Sequence, residues 1–233
     1  MESNELLLAL TGIASLALVL LAWRLDKERL YSAIVIFLIL IAIAGGKIVE
    51  FFGHETNTGN IFYACVFLAT YFLIERYGRR EGIRSIWIGV AGVVAFFVLL
   101  QLTLLYTSSS STQTFSDALT SAFSPASRLA LASLLGYIAS QTLNVHLYCY
   151  LKERMGRNRV WLRANASNIC AQALDSVIFF TIAFWGVVPP GNIQDIMVTG
   201  FIIKVVFIML TAPLLHLNRI EEEDAGYTSF RLP

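Results

Sequence analysis

Seven stretches of mostly apolar residues, most of them bounded by polar or charged runs, constrain this chain more than any other feature. They are residues 5–23, 31–52, 60–77, 84–106, 128–151, 166–187 and 195–216. About 20 apolar residues in a helix cross roughly 30 Å of hydrocarbon, and a helix satisfies its own backbone polar groups there. The runs are long and do not alternate, so helices rather than strands are the natural reading. The 233 residues are 57% hydrophobic and only 14% charged, where a soluble domain carries about a quarter. The predicted fold class is all-α, a polytopic membrane bundle of about seven transmembrane helices forming one domain over residues 1–233.

Charge sets the topology. "RLDKER" (Arg24–Arg29), "ERYGRREGIR" (Glu75–Arg84) and "KERMGRNRVWLR" (Lys152–Arg163) hold most of the basic residues and form the first, third and fifth connections. "GHETNTG" (Gly53–Gly59), "TSSSSTQTFSDALTSAFSPAS" (Thr107–Ser127) and "VVPPGNIQD" (Val187–Asp195) have none. The positive-inside rule then places the amino terminus outside, the three basic loops inside and the carboxyl terminus inside. The Ser/Thr-rich outer loop reads as a flexible connector and residues 217–233 as a solvated cytoplasmic tail. The first 25 residues lack the basic start and small-residue cleavage site of a signal peptide, so they are expected to be retained. A formal net charge of +1 implies no nucleic-acid partner. Cys65, Cys149 and Cys170 have no CxxC spacing and read as small core residues.

Polar residues inside these spans carry the functional signal. Asn168, Gln172 and Asp175 follow an i, i+4, i+7 pattern that puts them on one helix face, which Phe179 extends. A carboxylate near the bilayer centre costs about 2.5–3.5 kcal/mol on insertion scales. The preceding span repeats the theme with Ser140, Asn144 and Tyr148 in a stripe and Gln141 and His146 nearby. Lys204, in the last span, needs a partner, and Asp175 is the only acidic residue at comparable depth. Asn and Gln also serve as interhelical hydrogen bonds worth roughly 0.6–2 kcal/mol, and Asp175 with Lys204 also fits a structural ion pair. Intramembrane ionisable groups are functional by default, however, and several converging from three spans point to a solute cavity. His146, near the cytoplasmic end, fits either a proton carrier or an interfacial residue. Trp161 and Trp185 read as belt anchors as much as site residues, and Glu75 abuts a basic loop.

The chain contains no P-loop, no HExxH, no GxSxG and no metal-spaced His/Cys cluster. An enzyme, a metal centre and a cofactor are accordingly not expected. The residues alone lead to a carrier with a polar intramembrane site.

Two segments go further. "GNIFYACVFLATYFLIERYGRREGIRSIWIG" (Gly59–Gly89) and the longer "SRLALASLLGYIASQTLNVHLYCYLKERMGRNRVWLRANASNICAQALDSVIFFTIAFWG" (Ser127–Gly186) resemble the queuosine precursor transporter family, also called vitamin-uptake-transporter-like. The likeness runs from about Lys47 to Pro213. The more specific motif is Gln-x-x-Asn-Val-His, a basic loop, Trp-Leu-Arg, then Asn-x-x-x-Gln-x-x-Asp. The resemblance implies uptake of 7-deazaguanine precursors of the tRNA nucleoside queuosine, preQ0 and preQ1, across the cytoplasmic membrane. It also implies a six-helix core, 31–216, similar to the substrate-binding components of energy-coupling-factor vitamin transporters, with 5–23 as an added helix. Asp175, Gln141, His146, Asn168, Gln172, Arg128, Trp161, Arg163 and Lys204 stand at matching positions. Tyr71 and Asn144 depart from it, the family usually having Asp at the first and often at the second.

A deazaguanine presents a ring N–H and an exocyclic amine side by side, which the Asp175 carboxylate suits as a two-pronged acceptor. Asn168, Gln172 and Gln141 suit its carbonyl and remaining ring groups. Phe179, Phe184 and Tyr137 or Tyr148 suit stacking on the flat ring, at about 1–3 kcal/mol per base. Substrate-binding candidates are thus Asp175, Gln172, Asn168, Gln141, Asn144, Lys204, Phe179, Phe184, Tyr71, Glu75, Arg128 and His146. The alternatives are a carrier for another vitamin or purine-like heterocycle, a binding component needing a separate energising complex, and a structural membrane protein. Only Ala164 and Ala166 offer small-residue spacing for docking such a complex. The driving force is not legible in the residues, and a homo-oligomer stays open.

Overall fold

The computed structural model describes residues 2–44, 47–51, 54–123, 126–155 and 159–184, with 201, 202, 204, 205 and 209. In chain order these form α1 (Glu2–Leu25), α2 (Lys27–Ala44), β1 (Ile48–Phe51), β2 (His54–Asn57), α3 (Gly59–Tyr77), α4 (Arg79–Leu104), α5 (Gln113–Phe123), α6 (Ala126–Met155) and α7 (Val160–Phe184). The result is a helical bundle. Three of the described helices are long and apolar enough to cross a membrane, within Asn4–Leu25, Arg79–Leu104 and Val160–Ala183.

α3 is the centre of the bundle, buried almost from end to end. Its sequence is apolar on every side, which suits a helix enclosed by others, and it packs on α1, α2, α4 and α6. α6 and α7 form the most extensive helix pair. α4, by contrast, presents Trp87, Val98, Leu99 and Leu102 on its outer surface.

Local chemistry fixes the joints. Asp26 caps α2, its carboxylate accepting the Arg29 backbone N–H at 2.8 Å, as an N-cap acceptor does. Arg76 donates to the Trp23 carbonyl at 2.9 Å, satisfying one of the last carbonyls of α1. The Trp23 ring stacks on Phe72 with centroids 4.9 Å apart, so the amino-terminal helix is tied to the central one. A single residue, Gly78, joins α3 to α4 at φ +88°, a region costly to residues with a Cβ.

Two expectations are corrected. The span at 31–52 does not run as one helix: α2 ends at Ala44, and an antiparallel hairpin follows, pairing Ile48 with Asn57 and Phe51 with His54. The β-branched Ile48, Val49 and Thr56 suit strand geometry, and the hairpin's carbonyls take part in anchoring, Asn4 donating to the Glu50 carbonyl at 3.3 Å. The Ser/Thr-rich loop is not a plain connector, because Gln113–Phe123 is helical. Most of the span at 195–216, and the tail at 217–233, lie outside the described residues.

Candidate solute-binding site

The polar residues of α6 and α7 face each other inside the bundle. On α7, Asn168, Gln172, Asp175 and Ser176 are all buried; on α6, Tyr137, Ser140, Gln141 and Asn144 are too. The i, i+4, i+7 spacing produces this directly, since both helices turn one polar stripe toward the other.

Asp175 is the anchor. Lys204 donates to its Oδ2 at 2.6 Å, and the Tyr63 hydroxyl of α3 donates to its Oδ1 at 2.9 Å. The Lys204 ammonium also lies 5.1 Å from the Tyr63 ring centroid, a cation–π distance. The Ser140 hydroxyl is 3.5 Å from that of Tyr63. Gly136 makes room for the carboxylate, because a Cβ there would stand 2.8 Å from Asp175 Oδ1. The pair is neutral overall, and the carboxylate retains lone pairs beyond the two in use.

Around this pair the amides are unmatched. Both polar atoms of Asn168, both of Gln172, the Gln141 Nε2, the Tyr137 hydroxyl and the Ser176 hydroxyl find no hydrogen-bond partner among the described residues. Buried polar groups are normally paired, and each exception asks for an explanation. Here the exceptions gather on two facing stripes beside one carboxylate. Together they offer both hydrogen-bond donors and acceptors near a neutral ion pair.

A second polar cluster lies further along α3. Glu75 accepts from the Tyr148 hydroxyl at 2.6 Å and from Arg163 at 2.9 Å on Oε1, while Lys152 stands 3.2 Å from Oε2. Arg163 is fully buried and lies over the Tyr148 ring. Tyr63, Phe67, Tyr71 and Glu75 recur every fourth residue, so Glu75 sits about 18 Å from Tyr63 along the helix. Between them runs an aromatic ladder: Tyr63 to Phe67 at 5.5 Å, Phe67 to Tyr71 at 6.4 Å and Tyr71 to Tyr148 at 4.7 Å. Tyr71 ties α3 to both partners, donating toward Asn144 Oδ1 at 2.8 Å, with the Ala164 carbonyl at 3.0 Å and Ser167 Oγ at 3.2 Å.

Of the residues singled out by sequence, Asp175 and Lys204 are in contact, Gln172 and Asn168 are buried on the same face of α7, and Gln141 is buried on α6. Asn144 and Tyr71 lie on the ladder, and Glu75 belongs to the second cluster. Phe179 is half-buried, edge-on to Phe180. His146 does not join them: it is exposed, its Nδ1 2.7 Å from the Thr142 carbonyl. Arg128 lies on α6 and Phe184 ends α7, but their side chains fall outside the described residues. Ala164 is buried beside Tyr71, Ala166 is half-buried, and Trp161 is exposed. Tyr63 is the site residue that sequence reading missed; its place four residues before Phe67 and eight before Tyr71 was the available signal.

Known proteins are similar to this chain in sequence. Residues 57–217 match the family model described as "Putative vitamin uptake transporter". The "Probable queuosine precursor transporter" of Bacillus subtilis (strain 168) is 34% identical over 168 residues, 72% of this chain and 73% of that protein. The "Queuosine precursor transporter" of Escherichia coli (strain K12) is 29% identical over 138 residues, 59% of each. No solved structure matches significantly. With a polar site enclosed by apolar helices and a family model matched over most of its length, this chain belongs to the vitamin uptake transporter family.

Proposed function

We propose that this chain is a secondary transporter importing queuosine precursors, the 7-deazaguanines preQ0 and preQ1, across the cytoplasmic membrane for tRNA modification. The observation that carries the proposal is the set of unmatched amide groups on Asn168, Gln172 and Gln141 beside Asp175. The names of the two relatives supply the solute class. In this reading the heterocycle lies between the α6 and α7 stripes. Its adjacent N–H donors take the Asp175 lone pairs that Tyr63 and Lys204 leave free, and the three amides pair with its remaining edge. A solute lacking those donors would leave the Asp175 lone pairs buried and unmatched, which is how such a site discriminates. The chain forms one domain of seven spans, with its amino terminus outside and its basic loops and carboxyl terminus inside.

The test is uptake of labelled preQ0 and preQ1 into proteoliposomes containing this chain alone, with thermal shift against preQ0, preQ1, guanine and a panel of vitamins. Selective stabilisation and saturable uptake of a deazaguanine are expected. Stabilisation by another heterocycle and none by the deazaguanines would overturn the solute class. Binding without uptake would identify a component that needs an energising partner.

A further inference from the structure

We propose that α5 is a membrane-surface helix, lying along the outer face of the bilayer with its apolar side immersed in lipid. Phe115, Ala118, Leu119, Ala122 and Phe123 occupy one continuous arc of the helix, while Gln113, Thr114, Ser116, Asp117, Thr120 and Ser121 fill the remainder. The segregation is complete around the helical wheel. Eleven residues rise about 17 Å, too short to cross roughly 30 Å of hydrocarbon but suited to lying in its boundary.

Among the described residues, the bundle covers only one flank of this arc. Ser116, Leu119 and Phe123 are partly covered, whereas Phe115 is 69% exposed and Ala118 and Ala122 are exposed beside it. Gln101 of α4 donates to the Phe123 carbonyl at 3.4 Å, which holds the end of α5 against the last turns of α4. Those turns are themselves an exposed apolar surface. Leu102 and Leu105 are largely uncovered, and a groove of about 370 Å³ runs along Phe97, Val98, Gln101, Leu102 and Leu105. The exposed face of α5 therefore adjoins the exposed apolar face of a helix long enough to span a membrane, and lipid, with acyl chains along the groove, is the occupant that fits both. The polar face is neutral apart from Asp117, which accepts from Gln113 at 3.0 Å, and no Lys or Arg occurs in 107–127. Immersion thus rests on apolar burial and does not need anionic lipid.

The test places nitroxide labels singly at Phe115, Ala118 and Ala122, and at Thr114, Asp117 and Ser121, in full-length protein whose three native cysteines have been replaced. The protein is reconstituted in phosphatidylcholine vesicles, and collision with oxygen is compared with collision with a water-soluble nickel chelate. The first three positions should favour oxygen several-fold over the second three. Equal access of the chelate to all six would overturn the proposal, as would protection of the first three from both reagents, which would indicate a protein cover such as a second copy.

Discussion

The Tyr71 hydroxyl donates to Asn144 Oδ1 at 2.8 Å, so two neutral side chains satisfy each other where the family resemblance points to carboxylates. One phenolic hydrogen serves this bond, while Ala164 and Ser167 crowd the same oxygen. Tyr71→Phe would leave the Asn144 carbonyl buried without its donor, at a cost of about 1–3 kcal/mol. Adding Asn144→Leu should recover part of that loss, a coupling readable from unfolding of the two single variants and the double. Additive losses would show that the pair does not act as a unit.

Under the proposed function, variants of Asp175 and Lys204 should separate folding from transport. Lys204→Met alone leaves a buried carboxylate without its cation, and breaking such a pair costs about 3–5 kcal/mol. Lys204→Met with Asp175→Asn should regain most of the stability, because no charge is then stranded. Uptake should be lost in both. Thermal unfolding in detergent beside vesicle uptake tests this, and full uptake by the double variant would remove Asp175 from the solute site.

Gly136 is expected to be sensitive for a steric reason. An added Cβ meets Asp175 Oδ1 at 2.8 Å and the Asp175 carbonyl at 3.6 Å, so the carboxylate must shift. Gly136→Ala should weaken solute binding by about tenfold, or ~1.4 kcal/mol, with the loss read by titration calorimetry. Gly12 in α1, with open space where its Cβ would be, is the control, and Gly12→Ala should leave affinity unchanged.

The two cations on Glu75 are not equivalent. Arg163 is fully buried, whereas the Lys152 side chain is 39% exposed. Glu75→Gln, which removes the carboxylate from the buried guanidinium, should cost about 3–5 kcal/mol. Lys152→Ala should cost about 0–1 kcal/mol, as screened pairs do. Denaturation of the two variants under the same conditions gives the comparison, and similar losses would contradict it.

Much of the candidate site's geometry was legible because helical periodicity is rigid. Asn168, Gln172 and Asp175 had to share a face, and a buried ammonium at Lys204 had to find a carboxylate. Tyr63 was not legible, because a tyrosine in an apolar run looks like packing until its hydroxyl is seen to reach Asp175. By sequence His146 fits either a proton carrier or an interfacial residue; two residues after Asn144, it falls on another side of α6, and only the packing of the neighbouring helices shows which side is enclosed. The hairpin at 48–57 was hidden by apolar residues, since Ile48, Val49 and Phe51 continue the composition of α2 although the helix ends at Ala44. The α5 helix was hidden by its Ser/Thr content, which reads as loop unless the spacing of Phe115, Leu119 and Phe123 is followed.

Gln172 provides the sharpest opposition between stability and function. Both its amide atoms are buried without hydrogen-bond partners among the described residues, so the folded protein bears their desolvation, about 1–3 kcal/mol for such a group. Gln172→Met has a similar shape and removes that cost. It should raise the unfolding free energy of the solute-free protein while abolishing solute-induced stabilisation. Thermal unfolding with and without preQ0 and preQ1 reads both effects in one experiment. A variant that is less stable without solute, or that still gains stability from it, would mean that the Gln172 amide is satisfied within the protein and does not meet the solute.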